Sequence, residues 1–179
     1  MKLTGPEIIS TLREQLTFTI GRHLYVVLGS YAQLRTFEQV DLTAAVTRDG
    51  TPLPAPINLN RRLLDTIDDA TLRRLMSDEA RLPKSVRAQL DAALRQLLDS
   101  LFRTNSLVIL KQVEILFAYG LDLSAFRTAA TNQNHLVLLL PGAWVSDRVH
   151  LFHEADARFH RTLPENLVAE NHIWELTNG

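Results

Sequence analysis

Two short stretches of the chain carry residue types that nucleotide chemistry would use, and both are incomplete. The first is Gly29 with Ser30, which follows the β-rich run HLYVVL and precedes a helical pattern. In strand–loop–helix units this is the place of a phosphate-binding loop, which needs several glycines, a lysine and a hydroxyl residue. The chain contains no Gly-Lys-Ser or Gly-Lys-Thr sequence. The pattern therefore predicts the position of a phosphate loop without the loop itself.

The second stretch is SLVILKQVEILF, residues 106–117. Its run from Leu107 to Leu110 has no apolar–polar alternation, which is typical of a strand covered on both faces. In nucleotide-binding α/β domains such a strand often ends in an acid that holds the metal ion. Lys111 and Gln112 stand at this end, and neither supplies the anionic oxygen that Mg²⁺ prefers. We therefore predict a strand of nucleotide-binding type without its metal chemistry.

Two interpretations of these stretches remain open at the level of sequence. In the first, the protein is not an enzyme, and it has no catalytic residue, no metal site and no cofactor. In the second, it is a divergent nucleotide-binding protein or ATPase in which Glu114 replaces the missing metal ligand. The cofactor-binding residues of this second interpretation are Gly29, Ser30, Arg35 and Glu114.

Two other patterns were weighed for chemistry. His150 and His153 would share one face of a helix but point to opposite faces of a strand. With Glu154, Asp156 and His160 nearby, a helix would suit a metal ion, but we interpret the histidines as surface or loop residues. The chain also lacks the G-x-S-x-G turn of a hydrolase nucleophile.

Composition narrows the function classes further. The 179 residues are 46% hydrophobic, carry a net charge of −1 and include no cysteine. The absence of cysteine excludes disulfides, thiolate zinc sites and a cysteine nucleophile. The small net charge produces no field that would steer the whole chain to nucleic acid or to an anionic membrane. Arg61-Arg62 and Arg73-Arg74 lie among acids, so we interpret them as part of a solvated face, with DNA contact as the alternative.

Neither a membrane span nor a leader is expected. No apolar run approaches the roughly 20 residues that cross a bilayer. The first ten residues, MKLTGPEIIS, lack the pattern of a signal peptide. We therefore expect a cytoplasmic protein that makes no membrane contact.

The first half of the chain gives a mixed pattern of helices and short strands. The predicted elements are a helix capped by Thr4 and ended by Gly21, a strand over His23–Leu28, a helix over Tyr31–Val40, a short strand over Leu42–Val46, a turn at Asp49-Gly50, a short strand over Ile57–Leu59, a helix capped by Asn60 and a helix capped by Asp68 or Asp69.

The second half begins with the longest amphipathic pattern, from Pro83 to about Arg103. After it we predict the strand at Leu107, a helix capped by Asp122 or Ser124, a strand over Leu136–Leu140 ended by Pro141-Gly142, Trp144 in a loop, a strand over Arg148–Phe152, a loop or helical turn over Leu163–Glu170, and an edge strand over Ile173–Leu176. The order predicts one three-layer α/β domain over residues 1–179, with a mostly parallel sheet and a helical insertion at about 61–103.

Several of these segments resemble a known family. In order they read LVILKQVEILF, LDLSAF, HLVLLLPG and LFHEADARFHR, and the earlier segment INLNRRLLDTI fits the same series. Together they resemble BrxF, the small P-loop proteins of the BREX anti-phage systems. BrxB, another family of small BREX proteins, has a similar apolar strand closed by Pro-Gly and is the second candidate.

The resemblance implies a P-loop-type fold whose nucleotide site is degenerate. The BrxF family carries a Walker-type loop where this chain has only Gly29 and Ser30, and an acid where Lys111 stands. It implies a non-catalytic assembly or regulatory component of a bacterial antiviral defence complex, whose partners are other protein subunits. Nucleic acid would be reached through that complex. A divergent nucleotide-binding protein or ATPase and a DNA-binding subunit of the same system are the alternatives.

Overall fold

The computed structural model describes residues 1–177 and contains an eight-stranded sheet. The main strands are Lys2–Leu3 (β1), Leu24–Gly29 (β2), Ile57–Asn58 (β3), Leu107–Lys111 (β4), His135–Val145 (β5) and Ile173–Leu176 (β8). They run parallel in the order β1-β8-β2-β5-β4-β3. Arg148–Leu151 (β6) and Arg161–Thr162 (β7) add antiparallel pairs beside the far end of β5.

Helices cover both faces of the sheet. One face carries Gly5–Gln15 (α1) and Tyr31–Thr36 (α2), and α2 continues as a π-helical segment, Phe37–Leu42. The other carries Leu59–Asp65 (α3), Asp69–Asp78 (α4), Pro83–Phe102 (α5), Glu114–Ala118 (α6) and Ser124–Ala129 (α7). The predicted α/β fold with a mostly parallel sheet is confirmed, and the predicted helical insertion corresponds to α3, α4 and α5.

The central strands explain why the unalternating apolar runs fold as they do. Successive side chains of a strand point to opposite faces. In β2, Tyr25 and Val27 therefore pack against α1, whereas Val26 and Leu28 pack against the five-helix side. Both faces exclude water, and each fully buried aliphatic side chain contributes about 1.5–3 kcal/mol. Parallel strands buried on both faces need such continuous apolar sequence.

One strand boundary was predicted wrongly. β5 does not end at Pro141-Gly142 but runs on to Val145, so Trp144 lies in a strand and not in a loop. Proline is tolerated because Pro141 pairs with Gly29, the last residue of β2, where the ladder is ending. Gly142 is required by close packing, since a Cβ there would lie 2.5 Å from the carbonyl oxygen of His150.

Two predictions between β2 and β4 were also wrong. Residues 42–46 form no strand: the π-helical segment reaches Leu42, and only Val46 makes a bridge, to Pro52. The burial of Phe37 and Leu42 in the α1-side core favours this helical continuation. The cap of α3 is Asn58, whose side chain accepts a hydrogen bond from the Arg61 N–H at 2.9 Å, and not Asn60.

The two ends of the chain differ from expectation as well. β8 is not an edge strand, because the unpredicted β1 pairs with its outer side. The Thr4 cap of α1 is confirmed, with the Glu7 carboxylate accepting from the Thr4 N–H at 2.8 Å. The helix ends at Gln15 and not at Gly21, so a loop connects α1 to β2.

Candidate functional site

The carboxyl ends of β2, β3 and β4 meet at one edge of the parallel sheet, and the residues singled out for nucleotide chemistry lie there. Ligands of open α/β sheets bind outside such edges. We call this edge, with Ser30, Tyr31, Lys111, Glu114 and Glu154, the carboxyl edge.

Ser30 is committed to capping α2. Its Oγ accepts a hydrogen bond from the Gln33 N–H at 3.0 Å, and its own N–H donates to the Gln33 side chain at 2.8 Å. This reciprocal pair is a capping box, which satisfies two backbone donors of the first turn. Gly29 serves close packing, because a Cβ there would lie 3.2 Å from Leu176 Cδ1 and 3.3 Å from Gln33 Cβ.

A carboxylate from a distant part of the chain accepts a hydrogen bond from the next backbone N–H of α2. The backbone N–H of Tyr31 donates to Glu154 Oε2 at 2.9 Å. Free N–H groups at this end of a helix are the groups that a phosphate loop would offer to an anion. Here the anion is supplied by the segment after β6.

Lys111 at the end of β4 is paired with an acid. Its Nζ forms a salt bridge with Glu38 of the π-helical segment, and both side chains are about 30% exposed. A metal ion would need an anionic ligand where this ammonium group stands. The salt bridge therefore holds an ammonium group, and not an anionic ligand, at the strand end.

Amides connect the remaining residues of the carboxyl edge. Gln112, which has a positive φ of 53°, accepts from the Asn58 side chain. Asn60 donates to Glu114 Oε2 at 2.7 Å and accepts from the Ile115 N–H at 3.0 Å. These contacts tie the start of α3 to the start of α6 and engage the Glu114 carboxylate.

The charges of Glu114 and Glu154 both act on the Tyr31 hydroxyl. Burial raises the pKa of the Tyr31 hydroxyl, and the charges of Glu114 and then Glu154 raise it further. Of the four predicted nucleotide-binding residues, the fold brings Gly29, Ser30 and Glu114 to this edge. Arg35 lies exposed on α2 and makes no hydrogen bond or ion pair with the part of the chain that is described.

Sequence reasoning missed the groups that fill the site. The sequence pattern gives no role to Glu38, and it indicates Glu154 only as a candidate metal ligand. No local pattern could identify the Tyr31–Glu154 contact, since 123 positions separate the two residues. The amide pairs of Asn58 and Asn60 likewise join residues more than 50 positions apart.

The histidines that we interpreted as surface or loop residues, and not as metal ligands, lie in different parts of one segment. His150 lies in β6, whereas His153 and His160 lie exposed beyond it. Within residues 1–177 no group of three or more His, Cys, Asp or Glu side chains is arranged to hold a metal ion. Arg61 faces Asp65 at 3.9 Å on the surface of α3, as expected of a solvated helical face.

The buried histidines lie at the opposite end of the sheet. The rings of His23 and His135 stack with centroids 4.3 Å apart, and His23 Nδ1 lies 3.1 Å from the Tyr25 hydroxyl. Burial lowers the pKa of His135 to about 4, with a further contribution from His23. Burial also raises the pKa of Tyr25 to about 12. These groups have an apolar core environment and are remote from the carboxyl edge.

Comparisons with known proteins identify no relative. No protein-family model matches the chain, no curated protein matches it, and no solved structure matches it. No helix within the described residues is both long and apolar enough to cross a membrane.

Proposed function

We propose that this chain is a non-catalytic assembly or regulatory component that binds other protein subunits. The observation that carries the proposal is the state of the carboxyl edge. Glu154 takes the helix N–H that would meet phosphate, and Lys111 with Glu38 takes the position of a metal ligand. On this proposal the chain keeps an α/β sheet, but its own side chains occupy the place where a nucleotide would bind at the carboxyl edge.

Charge makes the carboxyl edge unfavourable for a nucleotide. Glu38, Glu114 and Glu154 all lie there, and Lys111 is already paired with Glu38. An incoming phosphate would have to displace the Glu154 carboxylate from Tyr31, with like charges in close proximity. The exchange of one anion for another at the same N–H offers little net gain.

The resemblance to the BrxF family supports the proposal that this component belongs to a BREX system. On that basis the protein acts in a bacteriophage-defence complex in the cytoplasm and reaches nucleic acid only through its partners. A degenerate P-loop subunit of this kind would work beside a separate ATPase.

The test of this function is isolation of the complex. The tagged chain is expressed at native level in its host, and co-purifying proteins are identified by mass spectrometry and size-exclusion chromatography. We expect a stable complex with defined stoichiometry that does not require added nucleotide. Elution of the chain alone, from cells that contain the whole defence system, would refute the assembly role.

A second candidate function is a divergent nucleotide sensor. It is favoured by one observation: Glu114 lies close enough to Tyr31 to raise the pKa of its hydroxyl, so an acid does face the amino end of α2. In this candidate Glu114 supplies the metal ligand that Lys111, at the end of β4, cannot supply. If Glu114→Gln leaves any nucleotide binding unchanged, this candidate is eliminated.

A further inference from the structure

A groove lined by three arginines lies on the five-helix side of the sheet, and none of the five residues that define the carboxyl edge lines it. It has a volume of roughly 590 Å³, and Arg87, Arg127 and Arg161 line it. They come from three elements: α5, α7 and β7. We call this feature the arginine groove.

Two of the arginines are held in place by neutral groups. Arg127 Nη1 donates to the carbonyl oxygen of Asn166 at 2.9 Å. Arg161 Nη1 donates to the carbonyl oxygens of Arg158 and His160 at 2.9 and 2.7 Å. Among residues 1–177 no carboxylate forms an ion pair with either guanidinium, and the hydrogen bonds to carbonyl oxygens leave the positive charge of both unpaired.

The described acids near the groove do not pair with Arg127 or Arg161. Asp122 lines it, but its carboxylate accepts from the Ser124 hydroxyl at 2.7 Å and from Arg95 at 2.8 Å. The Ser124 and Arg95 contacts lower the pKa of Asp122. Arg87 forms a salt bridge with Asp91 at 3.8 Å, so among the described residues this is the groove arginine that an acid neutralises.

The floor of the groove is apolar. Leu116, Leu121 and Leu167 line it and are buried, and the half-buried Phe117 packs edge-on against Phe152 with ring centroids 5.3 Å apart. Arginine beside a partly exposed aromatic side chain, here Phe117, is a composition that protein interfaces favour. A free phosphate would use the charges but not this floor.

We propose that the arginine groove binds an acidic segment of a partner protein, with its carboxylates on Arg127 and Arg161 and an apolar side chain on the floor. Guanidinium groups bind carboxylates in a planar two-bond geometry, and the contact is strengthened when its surroundings exclude water. This inference rests on the proposed function, because it names the surface through which the chain would hold a subunit.

The probe is a fluorescent synthetic peptide in which Asp and Leu alternate, and binding is measured by anisotropy. The first test variant is R127Q/R161Q, matched by R73Q/R74Q, which removes two exposed arginines of α4. Asn166→Asp adds a negative charge at the groove without changing the size of the side chain, and Asn171→Asp is its exposed control. Thermal unfolding checks that each variant is folded.

We expect R127Q/R161Q to weaken peptide binding by at least about tenfold, since charge-assisted hydrogen bonds are lost. Asn166→Asp should weaken it several-fold, and both controls should bind like the wild-type chain. A peptide in which Lys replaces Asp should not bind. The proposal is overturned if the wild-type chain does not bind the Asp–Leu peptide, if all variants bind it equally, or if inorganic phosphate at similar concentration displaces it.

The same variants separate this inference from the proposed function. If the isolated complex forms equally well with R127Q/R161Q, the groove proposal fails and the assembly role stands. If no complex exists but the peptide binds in the expected variant-dependent way, the groove proposal stands and the assembly role fails.

Discussion

Glu154 determines what the first turn of α2 can bind. Its carboxylate accepts from the Tyr31 N–H, while Ser30 and Gln33 satisfy the neighbouring donors. Negative charge at the amino end of a helix is stabilising by about 0.3–1 kcal/mol when exposed. An intramolecular anion therefore closes this helix end at little energetic cost to the fold.

The charges around Tyr31 make a residue-level prediction. Glu114 and Glu154 both raise the pKa of its hydroxyl, and Glu114 has the larger effect. Glu114→Gln should therefore lower the pKa of Tyr31 more than Glu154→Gln does, and Glu165→Gln should leave it unchanged. Titration of the Tyr31 ring signals by NMR measures this. Equal pKa values in wild type and both variants would show that these acids do not face Tyr31.

His135 makes a second prediction, about pH. It is 4% exposed, and its pKa in the folded chain is about 4 compared with 6.5 when solvated. Above pH 6.5 the ring is neutral in both states and contributes no pH dependence. As the pH falls from 6.5 to about 4 the unfolded chain takes up the proton first, so the free energy of unfolding should fall by about 3 kcal/mol.

Urea denaturation across this pH range measures that loss. The pKa values of His23 and His172 are also lowered by burial, and they add to it in the same direction. His135→Phe should flatten the pH profile, while His153→Gln, which changes an exposed ring, should leave it unchanged. A His135→Phe profile as steep as that of wild type would assign the effect to other groups.

At the scale of elements, the turn between β5 and β6 has an unfavourable local structure. Ser146 and Asp147 both have positive φ, 46° and 66°. Two consecutive residues of this kind form the two-residue hairpin turn that prefers Asn-Gly. The chain accepts less suitable residues here because the flanking pairs, Trp144 with Val149 and Val145 with Arg148, fix the hairpin register.

Replacing the turn should stabilise the protein. Ser146→Asn with Asp147→Gly should raise the free energy of unfolding by about 1 kcal/mol, because backbone strain is relieved. Asp99→Gly, which places a glycine inside α5, should lower it by about 0.3 kcal/mol, because Asp is itself a poor helix former. Urea denaturation compares the two. Destabilisation by the Asn-Gly turn would show that the native side chains make compensating contacts.

The local sequence predicted the type of element, strand or helix, where burial is uniform along that element. The unalternating runs at Leu107 and Leu136 predicted β4 and the first half of β5, and the Leu repeat of α5 predicted the longest helix. Prediction failed where a tertiary partner overrides a local signal. β5 continues through Pro141-Gly142 because β2 and β6 pair with it there, and residues 37–42 stay helical because they cover a buried face.

At the scale of the whole molecule, the two ends of the parallel strands differ in chemistry. The amino end of the strands holds the stacked, buried histidines, whereas the carboxyl edge holds the ion pair and the amides. The outer strands β1 and β3 have two residues each, and such short strands limit unwanted edge-to-edge pairing. The candidate site was only partly predictable, since the groups that fill it come from segments distant in sequence.

Titration calorimetry of the purified chain with ATP, ADP and Mg²⁺ tests the central claim most directly. We expect no binding heat, because Glu154 already accepts from the Tyr31 N–H and an ammonium group, Lys111, stands at the end of β4. Glu154→Gln should not create tight binding, since Lys111 still places that ammonium group at the end of β4. Stoichiometric binding of ATP with micromolar affinity, dependent on Mg²⁺ and lost in Glu114→Gln, would contradict the account and identify the chain as a nucleotide sensor.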